Sequence, residues 1–358
     1  MKIKDVRIVH KTLRYKQEFH IALASLRQAD ICFIIIDTDE DVSGIGYAPG
    51  SAPVIAGEVP ESIHAIVLNV FRPLLLGEDP RNIEELMYKI DKSARYNARA
   101  KAGIDFALHD LVAKRLNIPL YQFLGGKCRS EIPVMRMVGM GTSKQMVQDS
   151  VQLVNEGYKY LKLKVGDGIT VDTSRVKAVR EAVGDDITIV ADANQAYDVK
   201  TAISAVNGMS EFGLAMIEQP VPWFDFKGLA AVRKNVNVIV EADESARDIH
   251  DVLRLIEMEA VDFISIKPPE LGGLRNAKKV AAICEAANIG CLVGTTPGSR
   301  YIDACEAHFI ASTRIISFGC EIGEFNRMIE DPVDGLEVKN GCITVPEGAG
   351  VGVTIDID

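Results

Sequence analysis

The chain has 358 residues, 47% hydrophobic and 25% charged, and its 40 basic against 50 acidic residues give a formal net charge of −10. A chain of this size buries a core without metal or disulfide staples. The acidic balance excludes nucleic acid and an anionic membrane as main partners, since both call for a basic footprint.

In chain order, residues 2–13 and 31–38 carry β-branched runs that read as strands, with turns supplied by Asp37 to Asp41, Gly44 and Gly46. The polar stretch from Tyr15 to Arg27 between them reads as a loop. From Glu61 to about Leu124 the apolar spacing becomes helical, as in Ile63, Ile66, Val67, Val70 and Leu74, with Pro73 and Pro80 bounding the pieces. Residues 1–125 are therefore expected to form an α+β module.

Short apolar strands then alternate with helical stretches: 132–138, 158–165, 187–192, 214–218, 238–242, 263–267, 290–294 and 315–321. The last functional-looking residues of successive strands fall at 164, 192, 218, 243, 267, 294 and 321, spaced 24 to 28 apart. That spacing fits one strand, one helix and two loops, and eight such units close a parallel (β/α)8 barrel over residues 126–324. An open doubly wound sheet is the alternative, but no GxGxxG turn follows the first strand. The Pro- and Gly-rich tail, 325–358, is expected to leave the barrel and return to the N-terminal module.

Seven scattered cysteines (32, 128, 284, 291, 305, 320 and 342), without a CxxC pair, read as reduced thiols. The N-terminus shows no signal-peptide apolar region, and the run Ile31 to Ile36 is too short to span a bilayer. A soluble, cytoplasmic protein is expected.

Charged residues are costly inside a barrel unless paired or metal-bound, yet they gather at these strand ends, where barrel active sites are built. Asp192, Glu218 and Asp243 end three successive strands, a hard-oxygen set suited to Mg2+ with Mn2+ as a substitute, and no His or Cys there favours zinc. Each acid alone would read as a helix cap or a surface ion pair. Lys162 and Lys164 share one face of their strand, and Lys267 lies across the barrel. Near a dication these lysines are expected to titrate below the ordinary value of about 10.4, which suits a base. The parts imply that a small carboxylate substrate loses its α-proton to a lysine, and that the enediolate is stabilised by the metal and Lys162.

These residues resemble the enolase superfamily, muconate-lactonizing-enzyme subgroup. The marks are Lys-Leu-Lys at 162–164, Asp192-Ala-Asn194, Glu218-Gln-Pro220, Asp243-Glu-Ser245, and Lys267 followed by Gly272-Gly273, with Ala107-Leu-His-Asp110 and Pro119 to Gly126 upstream. The resemblance covers nearly the whole chain. It implies a cap built from the N-terminal module and the C-terminal tail, with loops near 15–27 and 47–58 closing over substrate. It also implies Lys164 and Lys267 as an acid/base pair assisted by Lys162, and assembly into a homo-oligomer.

The subgroup's dipeptide epimerases resemble one another in an Asp-x-Asp at the eighth strand end. This chain has Cys320-Glu321-Ile322-Gly323 instead, leaving Glu321 either to meet a cationic or polar group or to start a helix. Asn194, Thr295, Thr296, Glu18 and Phe19, with His20, are the remaining candidates for touching substrate. Arg300 reads as a surface salt bridge, Trp223 as a pocket wall or rim residue, and His109 and His308 as packing histidines. The leading reading is a Mg2+-dependent racemase or epimerase of an amino-acid derivative. A cycloisomerase or dehydratase, or a non-catalytic scaffold, is the alternative.

Overall fold

The computed structural model describes residues 1–21, 24–51, 57–295 and 298–357, apart from the side chains of 19–21, 24 and 26. Strands β1 (Ile3–Ile21), β2 (Ala24–Thr38) and β3 (Ser43–Pro49) form an antiparallel sheet. The stretch expected as a loop is thus a strand arm: β1 and β2 pair from Ile3↔Thr38 to Ile21↔Ala24, with a register shift between Arg14 and Phe19. Lys16, Gln17 and Glu18 are exposed, so no buried face imposes the alternation by which strands are recognised.

Helical segments follow. Pro73 does not end its helix, because the widened π turn Val67–Phe71 precedes it and joins Pro60–Ile66 to Arg72–Leu75. Such turns absorb an interrupted i→i−4 ladder. Helix Ala98–Leu116 is buried over most of its length. It lies so close on β3 that a Cβ at Gly46 would stand 1.8 Å from the Gly103 carbonyl oxygen. Its Asp110 is fully buried and accepts the Ile45 N–H at 2.9 Å and the Val351 N–H at 3.0 Å, joining cap sheet, helix and tail.

Seven parallel strands run in chain order: β5 (Met135–Val138), β6 (Tyr160–Lys164), β7 (Thr188–Asp192), β8 (Leu214–Glu218), β9 (Ile239–Ala242), β10 (Phe263–Ile266) and β11 (Gly290–Val293). The segment expected as the eighth strand forms no continuous ladder. It makes single bridges, Ile316 to Cys291 and Cys320 to Val134. Those bridges touch both ends of the sheet and close the barrel. The first predicted strand also divides: β4 (Glu131–Pro133) faces the tail, and only β5 joins the barrel. Inside, Tyr160, Phe263 and Phe318 pack edge to face, with centroids 5.1 and 5.9 Å apart. This fills the amino-terminal end of the barrel, where Tyr160 and Phe263 begin their strands, opposite the carboxyl ends.

The tail touches both parts. β12 (Met328–Ile329) pairs with β1, β13 (Val333–Asp334) pairs with β16 (Thr354–Ile355), and β14 (Val338–Lys339) and β15 (Cys342–Thr344) extend a small sheet onto β4. Among the described residues no helix is long and apolar enough to cross a membrane.

Candidate active site

Alternation along each barrel strand sends every second side chain inward. At the carboxyl ends this brings Lys162, Lys164, Asp192, Glu218, Asp243, Lys267 and Glu321 into one polar cluster, each 9% exposed or less apart from Lys267, whose side chain is 17% exposed. Lys162 donates to Glu218 at 2.7 Å, pairs with Glu321 and stands 3.5 Å from Asp192. Lys164 pairs with Asp192 and donates to Asn194 Oδ1 at 2.9 Å. Across the barrel, Lys267 donates to Asp243 at 2.5 Å.

Asn194 sits in the left-handed region at φ 39°, and its amide also donates to Glu244 at 3.3 Å. It therefore links the loops after β7 and β9. Thr295, 9% exposed, follows β11, and its hydroxyl has no hydrogen-bond partner among the described residues. Glu18 pairs with Arg27 across the hairpin at 3.1 Å. The side chains of Phe19 and His20, together with Thr296 and residues 52–56, lie outside the described residues.

The carboxylates around Lys162 and Lys267 push both ammoniums the opposite way from the fall expected beside a dication. Burial alone would depress the Lys162 ammonium, but Glu218, Glu321 and Asp192 outweigh it and hold the group well above the ordinary lysine value. Burial likewise opposes Lys267, and Asp243, Glu218 and Glu321 reverse it. The physical reason is number: these acids outnumber the lysines that serve them. Asp192 is raised by burial, yet Lys164 and Lys162 bring it down to about 2. Glu218 is driven well above the carboxylate range by burial and by Asp192, because Lys162 is shared among several acids.

Among the described residues no three acidic, His or Cys side chains are already gathered into a metal cage; lysine ammoniums stand between the carboxylates. The donor set nonetheless fits a divalent cation. Its ligands would be hard carboxylate oxygens, and the cluster is short of positive charge. Among the described residues, Glu218 Oε1, Glu244 Oε2 and both oxygens of Glu241 are buried without a partner, a costly state for acids. Burial and Asp243 push Glu244 up to about 7.

Three groups escaped sequence reasoning. Glu241, on β9, lies two residues before Asp243 and so on the same face; that spacing was the available signal. Gln219 uses its carbonyl oxygen to accept the N–H groups of Asp243 and Ser245, each at 3.1 Å, fixing the loop that carries Asp243. Glu306 is fully buried in helix Arg300–Ala311; a charge amid Ala304, Cys305, Ala307, Phe309 and Ile310, in a helix buried on all sides, is itself a signal.

Other candidates resolve simply. Arg300 pairs with Asp331 at 3.1 Å and lies over Phe325, tying the tail to the barrel. Trp223 is 39% exposed at the rim, with the Arg247 guanidinium 3.8 Å from its ring centre. His308 accepts the Tyr121 N–H and binds the Val351 carbonyl, as a buried packing residue. His109 binds the Asp105 carbonyl oxygen at 2.8 Å.

Residues 3–125 match the mandelate racemase/muconate lactonizing enzyme N-terminal domain, and residues 145–358 match the enolase C-terminal domain-like family. The chain belongs to the mandelate racemase/muconate lactonizing enzyme family of the enolase superfamily. It is 36% identical over 367 residues to the hydrophobic dipeptide epimerase of Enterococcus faecalis, covering 99% of this chain and 100% of the relative. The dipeptide epimerase structure from E. faecalis V583, complexed with Mg and L-Leu-L-Tyr, superposes with a TM-score of 0.95 at 34% identity, over 99% of this chain and 100% of that one. Chloromuconate cycloisomerase from Cupriavidus necator is 33% identical over 321 residues, 88% of this chain and 86% of the relative. The relatives are epimerases, racemases and cycloisomerases, and the chain is an isomerase of the enolase superfamily.

Proposed function

We propose that the protein is a Mg2+-dependent racemase or epimerase of an amino-acid derivative, with a dipeptide or N-acyl amino acid as substrate. The observation that carries this reading is the pair of lysines on opposite walls of one acid-lined barrel mouth. Lys164 ends β6, and Lys267 follows β10 with three strands between them. In a ring of eight, those positions face each other. The similarity to dipeptide epimerases over the whole chain points the same way.

Asp192, Glu218 and Asp243 would hold the cation, and Mn2+ is expected to substitute for Mg2+. The bound cation supplies positive charge where the substrate carboxylate gains negative charge. Lys164 takes the α-proton from one face and Lys267 returns one from the other, which inverts the centre. Lys162, held as an ammonium by its carboxylate partners, stabilises the enediolate. Asn194 orients Lys164, Glu321 and Thr295 line the substrate, Glu18 is a candidate to meet it, and Thr296 and Phe19, outside the described residues, stay candidates on the sequence alone. Residues 1–125 and the tail 325–358 act as the cap over the barrel of 126–324.

The test is a screen of dipeptides and N-acyl amino acids in D2O with Mg2+. α-Deuteration with inversion is expected, and Lys164→Ala and Lys267→Ala should each lower racemisation by at least about a thousandfold, the scale of a lost general base with its positioning. Full activity in both variants would refute the two-base reading. The cycloisomerase similarity favours a second outcome: product formation from muconate-type substrates without inversion.

A further inference from the structure

Each of the two opposed lysines is followed by a turn, and the two turns are held from different parts of the molecule. After Lys164, the N–H groups of Gly166 and Gly168 donate to Asp172 Oδ2 at 3.1 and 2.8 Å, and the Tyr197 hydroxyl donates to the same oxygen at 2.7 Å. All of these groups belong to the barrel. After Lys267 come Pro268 and Pro269, whose rings fix their own φ. The Lys267 carbonyl accepts the N–H groups of Glu270 and Leu271 at 2.9 and 3.1 Å. The Glu270 side chain reaches out of the barrel, and its Oε1 accepts Nε and Nη2 of Arg99 at 2.9 and 2.7 Å. Arg99 stands in the first turn of the cap helix Ala98–Leu116, and its side chain is 3% exposed.

The remaining donors of Arg99 go to the cap. Its Nη1 donates to the carbonyls of Ser51 at 2.7 Å and Pro49 at 3.3 Å, where β3 ends. The backbone N–H groups of Arg99 and Ala100 donate to the Glu58 carboxylate at 2.9 and 3.1 Å. Further along the same helix, Asp105 Oδ2 accepts the Arg275 N–H at 3.3 Å, and a Cβ at Gly273, whose φ is 115°, would stand 2.3 Å from that oxygen. One planar guanidinium thus holds the end of the cap sheet on one side and the turn of Lys267 on the other. We infer that Arg99 is a positioning residue for Lys267, tying its turn to the cap through Glu270, while Lys164 takes its position from the barrel. This rests on the two-lysine reading above. A shift of the cap sheet then reaches one proton-transfer group and leaves the other in place, so the two faces of the substrate respond differently to the cap.

The experiment has two readouts on the full chain. The first is amide hydrogen exchange without Mg2+ or substrate. Arg99→Lys keeps the charge and loses the fork, and should speed exchange of the Glu270 and Leu271 amides about tenfold, the size of one charge-assisted bond, with Gly166 and Gly168 unchanged. The second is α-proton wash-out in D2O with Mg2+, from each α-epimer of the dipeptide or N-acyl amino acid that exchanges fastest in the screen above. Lys267→Ala identifies the epimer that Lys267 deprotonates. Arg99→Lys and Glu270→Gln should each slow that epimer about tenfold more than the other, within the hundredfold that a misplacement of about 1 Å can cost. Together they should do little more than either alone. If Arg99→Lys fails to fold, Arg99→Met combined with Glu270→Met exchanges the ion pair for apolar groups, which preserves stability, and should show the same asymmetry. Tyr197→Phe, which loosens the turn of Lys164, should not slow the Lys267 epimer more than the other. Unchanged amide exchange, equal slowing of both epimers in the Arg99 and Glu270 variants, or the same asymmetry in Tyr197→Phe overturns the proposal. Equal slowing of both epimers in Lys267→Ala would instead overturn the two-lysine reading, with amide exchange still deciding whether Arg99 holds the turn.

Discussion

His308 shows how much one side chain can carry at the residue scale. It joins the segment at Tyr121 to the tail at Val351 only in its neutral form, donating through one ring nitrogen and accepting through the other. Burial pushes its titration down from the usual 6.5 to about 4. The unfolded chain therefore binds a proton between pH 6.5 and 4 that the folded chain refuses, and the stabilisation is present above that window and lost on acidification through it. Urea unfolding at pH 7 and pH 5 should show a loss of about 2 kcal/mol from this residue. His308→Gln should lose that much less over the same interval, and an unchanged slope would refute it. At this same scale the lysines and strand-end acids were legible because polar residues at 24- to 28-residue intervals break an apolar pattern. The direction of lysine titration was not legible. It depends on Glu321 and Glu241, whose approach to Lys162 is set by barrel closure rather than by local pattern.

Elements differ in how much of themselves they reveal. The barrel strands were readable because each is buried on both faces and bounded by polar or turn residues. The hairpin arm was not, since its outer half has no core to face. The closing segment 315–321 has strand-like composition but bends to meet both edges of the sheet through single bridges. Asp110 is the joint between elements: one fully buried carboxylate serves β3, the tail and Lys114. Asp110→Ala would leave two backbone N–H groups without acceptors, and should cost about 3 kcal/mol in denaturant unfolding. A loss below about 1 kcal/mol would show that those groups find other partners.

For the whole molecule, lysines pair with the strand-end acids, so the barrel is expected to hold together when the proposed cation is removed. Chelation should abolish α-proton exchange while leaving the far-ultraviolet circular dichroism intact. Restoring Mg2+ to 100 times its Kd should add about 2.7 kcal/mol of stability and raise Tm. Collapse of the circular dichroism on chelation would contradict this. The net charge of −10 is uninformative about substrate, because much of the acid near the site is spoken for by lysines and the proposed cation.

The pairing of β12 with β1 has a consequence for synthesis. β1 lies between β12 and β2, so until residues 328–329 emerge one long edge of the hairpin offers unpaired backbone groups. At ordinary ribosomal rates that interval lasts tens of seconds. Through that interval the nascent hairpin is open to wrong strand addition at Arg14 and Tyr15, the two positions that residues 328–329 later clasp.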